Sequence, residues 1–448
     1  MLVSLNLMIK RIAAFLVFFN CVVSFAQTIK TDVLIIGGSP SGVAAAIQCA
    51  RSKVKTILVE QGSNLCPELK SNRMATITAG HDLPSGIWGE FRNRIRDRYN
   101  KTPGFDTACN APLTLVPAIG ATILANIADT VKNLAIEPNT AFSAIKKDGD
   151  RWEVTLNRHG KHETVKARAV IDATADGDVL NKANGTIGSF DLRENAAGPD
   201  AYRTSIACGD GLPEQYAADI STDNYPLLPQ YCIPVKAILA KGTDNIFTTG
   251  KLSANINYLP MQLTLGQGIG VTAAYCAFFK TTTANLNVRM IQGELLDFKG
   301  YMLPFADIAK DPHWRAIQQT CAAGLLKGVR KKINGEEQFD FQPDSIVTTA
   351  EIKPAMLELY TRAFIWFNKE KPGKEFTIGN LLSFISELTL TDPDNLNSKI
   401  SKAWTDQFHF TASFNPDRPI TRREFAILAN KYLNPFGRAV NLDGKIVN

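Results

Sequence analysis

The segment that most restricts this chain runs from Thr31 to Glu60. Residues Thr31 to Ile36 form an apolar run of strand length, which enters the turn Gly37-Gly38-Ser39-Pro40-Ser41-Gly42. Val43 to Ser52 reads as a small-residue helix, and Lys55 to Val59 as a second strand closed by Glu60. Strand, glycine turn, helix, strand and acid, in that order, is the context in which a glycine motif binds a dinucleotide. Gly37 permits the tight turn at the strand end, and Gly42 lets the helix pack closely on the sheet. Ser39 stands where the motif has its second glycine, and it is small enough for the backbone to approach a pyrophosphate. Pro40 suits an early helical position, where no N–H is needed. The helix N-terminus offers N–H groups and a positive dipole end to phosphates. Glu60, with Gln61 beside it, is placed to bind both ribose hydroxyls, which disfavours a 2′-phosphate and therefore NADP.

The chain ahead of this unit reads as a targeting segment. Lys10-Arg11, the apolar stretch from Ile12 to Phe19 and the small-residue end Ser24-Phe25-Ala26 describe a secretory signal peptide cleaved after Ala26. The run is too short for a comfortable span, so the expectation is a periplasmic or secreted protein with no integral membrane span after processing. The 448 residues carry 49 Lys+Arg against 43 Asp+Glu, a net charge of +6 that is too mild to argue for nucleic acid. A hydrophobic content of 45% excludes a disordered chain. Eight cysteines, none in a C-x-x-C pair, give no zinc site and read mainly as buried small hydrophobes. No H-E-x-x-H, G-x-S-x-G or P-loop occurs, so neither a metal site nor a hydrolase triad is indicated. No residue is assignable as catalytic.

Further along, Pro117 to Val131 has helical spacing and Leu134 to Glu137 is a short strand. Three strand candidates follow: Ala141 to Lys147, Trp152 to Leu156 and Glu163 to Ala167. Turns at Asp148-Gly149-Asp150 and Arg158-His159-Gly160 separate them into a β-meander. The meander leads into Ala169 to Ala173, then Thr174-Ala175-Asp176-Gly177-Asp178.

With these residues in place the chain resembles the two-dinucleotide-binding-domain flavoproteins of the glutathione-reductase type. Ala173-Thr174-Ala175 takes the place of their Ala-Thr-Gly-like strand end near FAD. Asp176-Gly177-Asp178 and Ile87 to Phe91 are similar to segments of the secreted FAD-dependent oxidoreductase family of Bacteroidota. Asp244 to Gly250 looks like the late strand that returns to the flavin. Leu265 to Phe278 looks like the final helix of the FAD domain, whose N-terminus in that family faces the pyrimidine end of the isoalloxazine. A helix dipole there stabilises the negative charge of reduced flavin. The resemblance implies an α/β, Rossmann-like FAD/NAD(P)-binding fold, FAD as cofactor, and hydride transfer from a small-molecule, carbohydrate-related organic substrate. It adds Thr174, Gly250, Gly266, Gln267, Gly268 and Gly270 to the cofactor residues of the first unit.

The chain departs from the family in two places. Cys66-Pro67 stands where a Gly-Gly pair usually lies beside the flavin, and a proline lacks the backbone N–H and restricts its predecessor. Residues 181–233 form a short insert where relatives carry a larger substrate domain. Arg193, Glu194 and Arg203 of this insert are candidate substrate contacts or plain solvated charges, and His81 is the one histidine near the flavin loop. These departures support the alternative of a non-catalytic flavin-binding or cell-surface protein.

The last third reads as a separate α-helical module. Phe305-Ala306-Asp307, His313-Trp314, Phe341-Gln342-Pro343 and Thr348 resemble a surface-layer-homology repeat, and Phe414 to Phe425 a second copy. Thr421 to Glu424 has capping-box spacing. This resemblance implies weak cell-envelope association. A helical appendage packed on the FAD domain is the competing reading. The expected organisation is a signal peptide (1–26), a first FAD-domain part (27–180), the insert (181–233), a second FAD-domain part (234–300) and the helical module (301–448).

Overall fold

A computed structural model describes residues 28–80, 82–108, 110–187, 199–210, 230–250, 255–333 and 336–447. The expected signal peptide, His81, Arg193 and Glu194 lie outside them. The strands that organise the first part are β1 (Ile29–Lys30), β2 (Val33–Ile36), β3 (Thr56–Val59), β4 (Leu134–Glu137), β5 (Thr140–Asp148), β6 (Arg151–Arg158), β7 (Lys161–Ala167), β8 (Ala169–Asp172), β9 (Ser205–Gly209), β10 (Tyr231–Pro234) and β11 (Ile246–Thr248). The longer helices are α1 (Pro40–Arg51), α2 (Gly86–Tyr99), α3 (Pro117–Asp129), α4 (Leu259–Phe279), α5 (Val288–Asp297), α6 (Trp314–Ala322), α7 (Thr349–Leu359), α8 (Ala363–Glu370), α9 (Ile378–Thr389), α10 (Pro393–Ala403) and α11 (Arg422–Leu433).

The chain is a mixed α/β protein built on a parallel five-stranded sheet, ordered β11-β8-β2-β3-β4. Every residue of β2 and β3 is buried, as expected of a parallel sheet covered on both faces. The two faces alternate. Val33, Ile35 and Leu58 pack with the helices, whereas Leu34, Ile36, Ile57 and Val59 pack with Trp152, Val154, Leu156 and Val165. Those last four belong to the meander, whose sheet has the order β1-β7-β6-β5. The expected helix, strand and meander positions therefore recur within a few residues.

The insert contributes a short helix, Pro199–Thr204, and the antiparallel pair β9–β10. Arg203 is not a solvated charge. Its guanidinium donates to Glu358 Oε1 of α7 at 2.7 Å and to Gly444 O at 3.2 Å.

The last third is not purely helical, because Val329–Ile333 and Glu336–Asp340 form a hairpin in which Phe339 is a strand residue. It shares one hydrophobic core with the first part. Arg289 of α5 spans the junction: it donates to Arg203 O, Ala322 O and Arg438 O at 3.2 Å each and to Gln292 Oε1 at 2.7 Å. Burial pulls this guanidinium down to about 9, with the Arg203 charge adding to the effect.

Three helices of this part start alike. Thr348, Thr377 and Thr421 cap α7, α9 and α11, accepting from Glu351, Asn380 and Glu424 N–H at 3.3, 3.1 and 3.2 Å. The residues just before the caps close a ring. Val347 N–H donates to Ile420 O, Ile420 N–H to Phe376 O, and Phe376 N–H to Val347 O, at 3.0, 2.9 and 3.0 Å. The sequence reading found two of these units. The middle one, at Thr377, carries Asn380 where the other two have glutamate.

Candidate functional site

The site is built where β2 runs into α1. Gly37 has φ of +107°, and a Cβ there would lie 2.4 Å from Ala173 O. At Gly42 a Cβ would lie 2.2 Å from Gly37 O and 2.8 Å from Ala173 Cβ. Both positions therefore require glycine, because α1 is pressed onto the ends of β2 and β8. Ser39 caps the helix, its Oγ accepting from Gly42 N–H at 3.2 Å and lying 3.2 Å from the Ser41 hydroxyl. Pro40 occupies the first helical position, and the first turn holds no acidic side chain. The positive helix end is thus left without a carboxylate of its own helix, as an anion site needs.

Glu60 is held from two sides. Its Oε2 accepts from Gly38 N–H at 2.6 Å and its Oε1 from Gly62 N–H at 2.7 Å. Each carboxylate oxygen carries two lone pairs, so one per oxygen remains for a ribose hydroxyl. Gln61 is exposed beside it. The loop then returns to the glycine turn, where Cys66 N–H donates to Gly38 O at 2.7 Å. Cys66 is buried with φ of +53°, a left-handed conformation that favours glycine. The Cys66-Pro67 departure therefore lies on the turn itself. Burial, with the Glu68 and Glu60 charges behind it, pushes the Cys66 thiol up. Glu68 was missed by the sequence reading. Its Oε2 is buried with no hydrogen-bond partner, and burial, aided by Glu60, raises its carboxyl above the usual range.

Thr174 is used internally. Its hydroxyl donates to Asp172 Oδ1 at 2.6 Å and accepts from Asp178 N–H at 2.9 Å, while Leu180 N–H reaches Asp172 Oδ2 at 2.9 Å. Burial raises the Asp172 carboxyl against these hydrogen bonds. Gly250 follows β11 with φ of +68°, its N–H on Thr248 Oγ1 at 3.0 Å.

The remaining four residues stand elsewhere than expected. Helix α4 begins at Leu259, so Gly266, Gln267, Gly268 and Gly270 lie in its interior and not at its dipole end. A Cβ at Gly266 would be 2.2 Å from Ser41 O, at Gly270 2.6 Å from Ala45 O, and at Gly268 2.5 Å from Ile206 O. These glycines let α4 lie directly on α1 and β9. Gln267 is a buried tie: its Nε2 donates to Gln48 Oε1 at 3.0 Å and its Oε1 accepts from Ile87 N–H at 3.1 Å. Long-range packing, which spacing does not reveal, sets these roles.

Residues 32–188 match the family model described as FAD dependent oxidoreductase. The cofactor is FAD. The cradle fits that group: glycines at the two points where a Cβ would collide, a helix end with no acidic residue in its own first turn, and a fixed carboxylate with lone pairs to spare. No curated protein matches the chain.

Among solved structures, the bacillithiol disulfide reductase Bdr (YpdA) from Bacillus cereus is 18% identical, with a TM-score of 0.24 over 33% of this chain and 40% of that one. THI4 from Thermovibrio ammonificans is 13% identical, with a TM-score of 0.31 over 61% and 97%. The anhydrotetracycline hydroxylase OxyS from Streptomyces rimosus is 12% identical, with a TM-score of 0.35 over 66% and 69%. None of the three reaches a TM-score of 0.5. Among the described residues no cluster of His, Cys, Asp and Glu could hold a metal ion, and no helix is long and apolar enough to cross a membrane.

Proposed function

We propose that this chain is a secreted oxidoreductase that moves a hydride from a small organic donor, carbohydrate-related in its chemistry, to FAD. The observation that carries the reading is the Glu60 carboxylate locked across Gly38 and Gly62 beside the α1 N-terminus. In this reading Glu60 holds the ribose, and the first turn of α1, from Pro40 to Gly42, faces the pyrophosphate. The flavin supplies the hydride-accepting chemistry. The protein's part is to bind, orient and exclude water. The apolar run and small-residue end before Gln27 support export.

The helical last third acts here as part of the enzyme body. Support comes from its shared core and from the Arg203–Glu358 and Arg289 contacts. Weak cell-envelope association through the three-unit ring is the alternative role.

The test is spectroscopic. The exported chain, purified from the periplasm or medium, should begin at Gln27 and show flavin absorbance. Anaerobic addition of aldoses and sugar alcohols should bleach it. A colourless chain that takes up no added FAD would sink the reading.

A further inference from the structure

Six described cysteines are free and buried, and two of them face each other. In the antiparallel pair of β9 and β10, Cys208 is the direct register partner of Cys232. The other four described cysteines lie on helices or in a turn, outside any strand ladder. Residues opposed across a ladder project to the same face, with Cβ atoms roughly 4.5–5.5 Å apart. A disulfide needs Cβ atoms about 3.5–4.5 Å apart, so an approach of about 1 Å closes the gap. The strand pair is not tied into a larger sheet. It is a two-stranded sheet of its own, and its register is irregular between Ser205 and Ala207, where a bulge increases local twist.

We infer that Cys208 and Cys232 become a disulfide when the chain folds in an oxidising medium. One cysteine, as thiolate, attacks a low-molecular-weight disulfide such as oxidised glutathione. The S–S bond of the oxidant breaks, and one glutathione leaves and takes a proton from water. The second cysteine, deprotonated in turn, attacks the mixed disulfide at the protein sulfur and releases the second glutathione. Two protein thiols are oxidised and one oxidant disulfide is reduced to two thiols.

Burial sets the timing. Cys208 is 1% exposed and Cys232 fully buried, and burial pushes both thiols up. The Cys208 Sγ donates to Tyr301 O at 3.4 Å, and α4 lies against β9 at Gly268. In the closed fold neither thiol is a thiolate within reach of an oxidant. Exchange therefore belongs to folding, before α4 and Tyr301 cover the strands, and the oxidation state records the compartment in which the chain folded.

The test needs no flavin, so it is independent of the proposed activity. The full chain is reduced and unfolded, then refolded with either a glutathione redox buffer or dithiothreitol. It is next alkylated with iodoacetamide in denaturant and digested for mass spectrometry. The expected result is a Cys208–Cys232 cross-linked peptide, two hydrogens lighter than the reduced pair, in the glutathione sample alone. That sample should melt about 5 °C or more above the reduced one, and Cys208→Ala should abolish the difference. Full alkylation of both cysteines after oxidative refolding, or cross-links from either to other cysteines, would overturn the inference.

Discussion

Replacing Gly266 by alanine sets helix propensity against packing. Gly266 is interior to α4, where alanine is favoured over glycine by about 1 kcal/mol. On that ground alone the variant should be more stable. The packing says otherwise, because the new Cβ would lie 2.2 Å from Ser41 O, 2.9 Å from Ser41 C and 2.9 Å from Ala44 Cβ. Ordinary contact begins near 3.4 Å, so α1 and α4 must separate by about 1 Å. Gly270, whose Cβ would be 2.6 Å from Ala45 O, pins the same groove one turn later, so the helices cannot pivot away at one end. Overpacking of this kind costs roughly 1–3 kcal/mol or more. The net expectation for Gly266→Ala is a Tm lowered by about 3–8 °C. FAD affinity should fall at least about tenfold, since the displaced carbonyl belongs to the first turn of α1. Gly293→Ala is the matched control. It is also interior to a helix, α5, but a Cβ there meets nothing within 4 Å, and its Tm should rise by about 2 °C. Thermal melts by circular dichroism and fluorescence titration with FAD read both variants. A Gly266→Ala Tm equal to or above wild type would refute the packing argument.

Two further variants test burial of charge. Glu68 has its carboxyl raised by burial, so the folded state binds its proton more tightly than the unfolded state and loses stability as pH rises through the carboxylate range. Glu68→Gln should therefore melt above wild type at pH 7, with the gap closing as pH falls toward 4.5; equal melting at both pH values would contradict this. Arg422, buried and hydrogen-bonded to Glu351, Phe341 O and Lys327 O, secures α11 to α7 and to the hairpin. Arg422→Met leaves those acceptors uncompensated and should cost about 3–5 kcal/mol by urea denaturation, against less than about 1 kcal/mol for the surface ion pair removed by Arg315→Met.

Much of the β2–α1–β3 unit was legible because its constraints are local. A turn at φ of +107° selects Gly37, a proline without N–H selects the helix start, and an acid closes the second strand. All of these lie within thirty residues of one another. The meander was legible for the same reason, through period-two alternation and Asp-Gly or His-Gly turns.

What the sequence by itself determined, then, is the order of elements and the local build of the glycine turn with its closing acid. Only the tertiary structure decided what the later residues do. Gly266 to Gly270 carry a motif-like spacing, yet their partners are Ser41, Ala45 and Ile206. Arg203 looks like surface charge until Glu358, far along the chain, is brought to it. Cys208 and Cys232 share no motif and meet because two strands pair in one register. In each case the deciding contact joins residues distant in sequence, and their separation carries no periodicity or turn signal from which a reader of the chain could recover it.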